Sequence, residues 1–317
     1  MASVREALAH WAGEVPELAV LERTEPGRRS SYRVEVLTVH LSGGRRERIF
    51  LKDLGVCRHE KPGMEKRRGR ELRVYRDLLA GLDLGTPAYR GSVWDESRRR
   101  FWLLLEYVEG PTLRKQPFEH WLAAARWLGH AQGRLVGCDL TSCDYLVAHD
   151  AAFFTGVAED ALRALRAVSP SLGGRLRRAL TSYADLVPWM AAGPPTLVHG
   201  VFRPQNILLR SAPGAAHVCV ADWEEAARGS PLYDLAQLSD GFDAPRLHVL
   251  LDGYDEERGR AGLPARDRDD ALALLRCLWI HRNLKTLTKV DARRGDFTSE
   301  GIAGLVARTE ALARRIS

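Results

Sequence analysis

The sequence predicts an α+β protein in two lobes, and three observations carry that prediction. Apolar runs alternate with polar residues through the first hundred positions, helical periodicity takes over from Phe118, and a single hairpin pattern interrupts the helical remainder near residues 206–221. An antiparallel sheet lobe over residues 1–106 and a larger, mainly helical lobe over 107–317 are expected, with a ligand cleft between them.

Composition sets the frame. A chain of 317 residues, 45% hydrophobic and with eight Trp, can bury a large core. No run of eighteen apolar residues is present, so no membrane span is expected. The start, Met-Ala-Ser-Val-Arg-Glu, has no apolar export core, which predicts a cytoplasmic protein. The five cysteines form no C-x-x-C pair and are read as reduced thiols. The Arg-, Ala- and Gly-rich composition suits a bacterial source of high GC content.

The net charge of +6 is spread over short arginine runs such as Arg67-Arg68 and Arg98-Arg99-Arg100. These are not interleaved with aromatics, so nucleic acid is not an expected partner. A basic protein is also an awkward host for polycations, because long-range repulsion slows their approach.

In chain order, residues 3–12 suit a short amphipathic helix, and 18–55 read as a meander of three antiparallel strands containing Leu18–Leu21, Tyr32–Val39 and Ile49–Lys52. Lysine occurs six times, at 52, 61, 66, 115, 285 and 289, against a large excess of arginine. Lys52 follows Ile49-Phe50-Leu51 in a half-buried strand, where a compact ammonium can reach a phosphate that a guanidinium fork could not. Glu65–Ala80 has an apolar helical face, after which Tyr89–Val93 and Phe101–Val108 form two strands around the polar turn Trp94–Arg100. Helices are then expected over 118–135, 157–168, 172–190, 245–260, 267–286 and 298–315.

The hairpin holds the chemistry. Asn206–Leu209 and His217–Ala221 flank the turn-forming Arg210-Ser211-Ala212-Pro213-Gly214, so the hairpin should bring Asn206 beside Asp222. With Glu224 these make a hard-oxygen set suited to Mg²⁺, which takes the rest of its shell from water and substrate phosphates.

His199-Gly200-Val201-Phe202-Arg203-Pro204-Gln205-Asn206 resembles the H-G-D-x-x-x-x-N loop of the aminoglycoside phosphotransferase and choline kinase-like families, relatives of protein kinases. Asp222-Trp223-Glu224 is similar to their metal-binding D-x-D/E, and Gly229–Ala236 to their G-x-P-x-x-D-L-A. The resemblance covers roughly residues 18–285 and implies a protein-kinase-like fold binding ATP and Mg²⁺. It implies that Lys52 contacts the α- and β-phosphates and pairs with a helix glutamate, Glu71 or failing that Glu65. It further implies that Pro26–Ser31, with the Ser30 and Ser31 hydroxyls, covers the phosphates, that Glu106, Tyr107 and Val108 face the adenine, and that Asp234 braces the loop bearing His199 and Arg203.

One departure is decisive for the chemistry: Val201 stands where these families carry their catalytic Asp. General-base catalysis contributes about 10²- to 10⁴-fold, so its loss weakens transfer to a hydroxyl without forbidding it. Three readings stay open: a small-molecule phosphotransferase with a degenerate loop, a pseudokinase acting by nucleotide or metabolite binding, and a nucleotidyl transferase moving AMP. In the first, Asp139, Asp144 or a carboxylate of Asp252–Glu257 would take the proton, or the acceptor would need no base. The acceptor itself is an unidentified small molecule.

Overall fold

Alternating burial along two long strands builds the first sheet. β2 (Tyr32–His40) and β3 (Arg46–Cys57) pair antiparallel, with Val34 opposite Lys52 and Leu37 opposite Ile49. β1 (Ala19–Thr24), β4 (Tyr89–Asp95) and β5 (Arg100–Glu106) complete an antiparallel sheet of order β1-β2-β3-β5-β4. The computed structural model describes Val4, Ala7 and Leu8 and residues 19–25, 30–41, 44–57, 63–212, 215–291 and 297–315. Most of the helix expected over 3–12, and Pro26–Arg29 of the expected phosphate-covering loop, lie outside the described residues.

Side chains alternate across a pleat, and this decides where Lys52 points. Ile49 and Leu51 join Leu37, Val39, Leu104, Val4, Ala7 and Leu8 in one buried cluster. Phe50 and Lys52 therefore project from the other face. There α1 (Met64–Arg73) runs directly into a π-helical stretch, Val74–Leu79, with Glu71, Leu72, Val74, Tyr75 and Leu79 buried. The expected helix over 65–80 thus has one length but two windings, and wide turns of this kind recur at functional sites.

Contacts within the chain group Met1–His120 with Pro204–Ala226, and Trp121–Arg203 with Ala227–Ser317. Within the first of these groups, a set of backbone bonds holds the hairpin in place. The hairpin of β8 (Ile207–Ala212) and β9 (Ala215–Val220) is stitched to residues 111–113: Leu113 N–H donates to Ile207 C=O at 2.8 Å and Leu209 N–H to Pro111 C=O at 2.9 Å. A bridge between Thr112 and Leu208 extends the match. Gly110 permits it, since its φ is 145° and a Cβ there would stand 2.0 Å from the Leu209 carbonyl oxygen.

The second unit is helical, with α2 (Phe118–Arg134) leading into it. α3 (Ala151–Val168) begins six residues before the expected start because Asp150 caps it, accepting from Phe153 N–H at 2.9 Å. The single helix expected over 172–190 is two, α4 (Pro170–Ala179) and α5 (Tyr183–Met190), broken at Leu180–Ser182. Both halves share one apolar period, which hid the break. α6 (Tyr233–Ser239), α7 (Ala244–Arg260), α8 (Arg268–Leu287) and α9 (Ser299–Ala313) follow. α8 is the central post, packed by α3, α5, α6 and α9 through a face that includes Leu275, Ile280, Leu284 and Leu287. Short strands β6 (Val147–Ala148), β7 (Thr196–Val198) and β10 (Ala227–Gly229) form a small sheet of order β6-β10-β7. Two- and three-residue strands leave no periodic trace in a sequence. No described helix is long and apolar enough to cross a membrane.

Gly110→Ala should destabilise the protein by about 3 kcal/mol, since a disfavoured backbone angle costs roughly 1–3 kcal/mol and overpacking a similar amount. Gly137→Ala, where φ is 83° and the space is open, should cost only the backbone part. Urea midpoints of the two variants check this, and equal shifts would show that the close approach to Leu209 is not what matters.

Candidate functional site

In the sheet unit, four charged side chains from three segments meet. Lys52 is 5% exposed, and its Nζ lies 2.8 Å from both carboxylate oxygens of Glu71 and 2.6 Å from Asp222 Oδ1. Its ammonium also faces the Tyr32 ring, 5.0 Å from the centroid. Glu71, Asp222 and Glu224 each offer a carboxylate oxygen within 4.8 Å of the others. A hard-oxygen donor set of this kind fits Mg²⁺ chemistry. Glu71, expected only as the partner of Lys52, also belongs to this carboxylate group.

The backbone explains how the set forms. Ile207 pairs with Val220 across the hairpin, and Ala221 N–H donates to the Asn206 carbonyl at 2.9 Å, so Asn206 and Asp222 flank the same end as expected. Asp222 then adopts φ 71°, a left-handed angle uncommon outside glycine but tolerated by aspartate better than by most residues. The segment after it is tied to α1. Arg70 Nη1 donates to the Glu224 carbonyl at 2.7 Å, and Arg67 Nη1 reaches Glu225 at 2.6 Å and Glu224 at 3.8 Å. Sequence reasoning missed both arginines, although they share a face of α1 with Glu71 by the spacing of three and four residues.

Burial sets the proton affinities here. It pushes the Glu71 carboxyl up to about 7, with Lys52 opposing the rise and Asp222 adding to it. Burial works against the Lys52 ammonium, yet Asp222, Glu71 and Glu224 outweigh it and hold the group charged well above its usual range. Burial, and then Glu224, also push the Tyr32 phenol up.

The other sequence-predicted residues of this unit are placed as follows. Ser30 Oγ accepts from Tyr32 N–H at 3.2 Å, and the Ser31 carbonyl accepts from the Cys57 thiol at 3.4 Å. Glu106 and Tyr107 spend their N–H groups on Ala88 C=O at 2.8 Å and Arg48 C=O at 3.0 Å, and the Glu106 carboxylate pairs with Arg210. In the expected adenine-facing segment, Val108 N–H is the group that bonds to no described residue. The Val108 side chain joins Leu208 and Cys219 in a small buried apolar cluster.

In the helical unit, the segment 199–203 is braced from within. Asp234 is 1% exposed, and its two carboxylate oxygens accept from His199 N–H at 2.6 Å and Gly200 N–H at 3.0 Å. Burial pushes the Asp234 carboxyl up to about 7, and those two bonds resist it. His199 Nδ1 accepts from Val201 N–H at 3.2 Å, which assigns the ring proton to Nε2. Gln237, one helical turn beyond Asp234 and unremarked in the sequence, donates to the Gly200 carbonyl at 2.8 Å. Phe202 is fully buried with its ring stacked 5.8 Å from that of Trp127.

Among the suggested substitute bases, Asp139 accepts from both Thr141 Oγ1 at 2.5 Å and Thr141 N–H at 2.9 Å. Those bonds hold its carboxyl below the usual range and make it a weaker proton acceptor. Asp252 pairs with Arg268, and Glu256 and Glu257 with Arg260.

An antiparallel sheet with a lysine–glutamate pair and a helical unit holding a braced loop are the parts of a protein-kinase-like fold. The chain belongs to the phosphotransferase enzyme family, whose model matches residues 33–272. Solved structures agree at the level of the fold. A GDP complex of aminoglycoside 2'-phosphotransferase IIIa superposes with a TM-score of 0.64 at 16% identity over 98% of each chain. A thermostable variant of aminoglycoside phosphotransferase APH(4)-Ia, in ternary complex with ADP and hygromycin B, gives 0.57 at 18% over 98% of each. Macrolide 2'-phosphotransferase MphH from Brachybacterium faecium gives 0.58 at 18% over 97% of each. No curated protein sequence matches the chain.

Lys52→Met should reveal the Glu71 carboxyl through pH. A carboxyl raised above its unfolded value weakens the fold as pH climbs from about 4.5 toward its folded value, because the native state then retains a proton the unfolded chain has released. Removing the ammonium raises Glu71 further, so that weakening extends to higher pH. The variant should lie near wild type at pH 5 and lose about 3 kcal/mol at pH 8, the scale for breaking a buried pair. Guanidinium melts at the two pH values measure this, and a loss independent of pH would contradict it.

Proposed function

We propose that the chain binds a nucleoside triphosphate with Mg²⁺ and acts as a small-molecule hydroxyl phosphotransferase whose loop lacks the usual base. The observation that carries this reading is the convergence of Lys52, Glu71, Asp222 and Glu224, drawn from segments up to 170 residues apart, on one partly buried spot. Such a set, with three carboxylates to one ammonium, suits a cation on the carboxylates and an anion on the lysine. The Lys52 ammonium would bind α- and β-phosphate oxygens, with Glu71 holding it in place. Asp222, with Asn206 and Glu224, would hold Mg²⁺, which supplies charge neutralisation for the phosphates. Val108 N–H would donate to the base over the apolar Val108, Leu208 and Cys219 cluster. ATP is the expected nucleotide, and relatives crystallised with GDP make GTP the natural comparison.

Phosphoryl transfer proceeds through a loose transition state, so positioning and charge neutralisation supply most of the rate. That chemistry tolerates Val201. The acceptor hydroxyl would deliver its proton to solvent or to a group the acceptor carries. The second reading, a pseudokinase that binds nucleotide without turnover, is favoured by one observation: the Val201 side chain has no lone pair, although Asp234 and Gln237 hold the loop at His199 and Gly200 just before it.

Mg·ATP at a hundredfold excess over its dissociation constant should raise stability by about 2.7 kcal/mol, on the order of 5 °C in melting temperature. Asp222→Ala should remove the Mg²⁺-dependent part of that shift. A chain that gains nothing from Mg·ATP or Mg·GTP sinks both readings.

Val201→Asp should raise phosphotransfer or nucleotide hydrolysis by about 10²- to 10⁴-fold. Coupled-assay rates of the variant and wild type decide it. A variant slower than wild type would mean the pocket is adapted to valine.

A further inference from the structure

Two arginines from different helices of the helical unit grip one carboxylate, and a third stands near one of them. Asp240 follows the last turn of α6, and its side chain is 8% exposed. Arg282 from α8 donates to Asp240 Oδ2, and Arg308 from α9 donates to Oδ1 and, at 3.3 Å, to Oδ2. Arg203, two residues beyond Val201, donates nothing to Asp240, yet it stands near enough to Arg282 for the two like charges to oppose each other. Burial first, and then Arg203 and Arg308, lower the proton affinity of Arg282 against the pull of Asp240.

Two acids close in sequence to this cluster, among the described residues, are engaged elsewhere. Glu310, on the same helix as Arg308, is taken by Arg175 in a two-point pair of 3.0 and 2.7 Å. Asp243 caps α7 by accepting from Arg246 N–H. The Nε groups of both Arg203 and Arg282 are buried and bond to no described residue. A purely structural clamp would need only Arg282 and Arg308 on Asp240. Adding Arg203 brings repulsion and a second unmatched buried donor, which stabilise nothing in the free protein. Guanidinium forks with donors to spare match the planar edge of a carboxylate or the face of a phosphate.

We propose that Arg203, Arg282 and Arg308 form an anion subsite that takes the phosphate or carboxylate group of the acceptor. Asp240 holds two of the forks in place until that group arrives. Calling the ligand an acceptor rests on the phosphotransferase reading, whereas binding of the anion does not. A net-cationic cluster also selects against polycations, so acceptors of the kanamycin kind should be refused.

The test titrates inorganic phosphate and, separately, acetate into the full chain without nucleotide, at matched ionic strength against chloride, and follows the melting temperature. A saturable rise with phosphate, acetate or both is expected, and which of them acts assigns the anion. Arg203→Gln and Arg308→Gln should each weaken that affinity about tenfold or more, as expected for losing a charged hydrogen bond. Asp240→Asn, which removes the competing carboxylate, should strengthen it several-fold, and Lys52→Met should leave it unchanged. Arg203→Gln breaks no bond to Asp240, so it reports even if the other variants fail to fold. An anion effect abolished by Lys52→Met and kept by Arg203→Gln would place the anion at the nucleotide phosphates and overturn the proposal. So would the absence of any saturable effect of either anion. Anion binding that follows the arginines in a chain that Mg·ATP does not stabilise would keep the subsite and remove the phosphotransferase reading instead.

Discussion

A buried ammonium must be matched by buried negative charge, and that constraint on Lys52 governs the sheet unit. The lysine lies at 5% exposure on the face of β3 turned away from the cluster of Ile49 and Leu51. Left alone, such a charge would be lost to deprotonation or would unfold the sheet. Glu71 and Asp222 answer it from opposite directions, one from a helix nineteen residues on and one from a hairpin 170 residues on. Much local geometry then follows. The π-helical winding begins within a turn of Glu71, Asp222 takes a left-handed angle, and Arg67 and Arg70 tie the segment after Asp222 back to the same helix.

A second buried charge organises the loop in the helical unit by the opposite means. Asp234 faces two backbone N–H donors instead of a cation, and its carboxyl is raised by burial while those donors hold its orientation. With Gln237 on the Gly200 carbonyl, the chain leading into Val201 is fixed. The scaffolding of the loop is thus independent of the residue at its functional position. That independence explains how an aliphatic side chain can stand there without disturbing the fold: nothing in the brace uses the side chain of residue 201.

Much of this was readable in advance because it depends on local pattern. The alternation in residues 32–57, the turn between β8 and β9, and the pairing of Asn206 with the end of the second hairpin strand all follow from short-range period and register. Lys52 stood out because a chain this rich in arginine used lysine at that one strand position. What escaped was whatever lacks a period or depends on distant chain. The break between α4 and α5, the strands β6, β7 and β10, and the docking of the hairpin on residues 111–113 are cases of this.

The sequence by itself determined the α+β class, the family and the identity of the charged residues, because strand and helix periods and a short motif are properties of neighbouring positions. Tertiary structure alone decided how those charges are neutralised. Lys52 could have met Glu65 or Glu71, Arg67 and Arg70 could have been solvated, and Asp240 could have stayed unpaired on a helix end. Which of these occurs depends on how far burial removes each group from water, and burial is a property of the packed chain and of no single stretch of it.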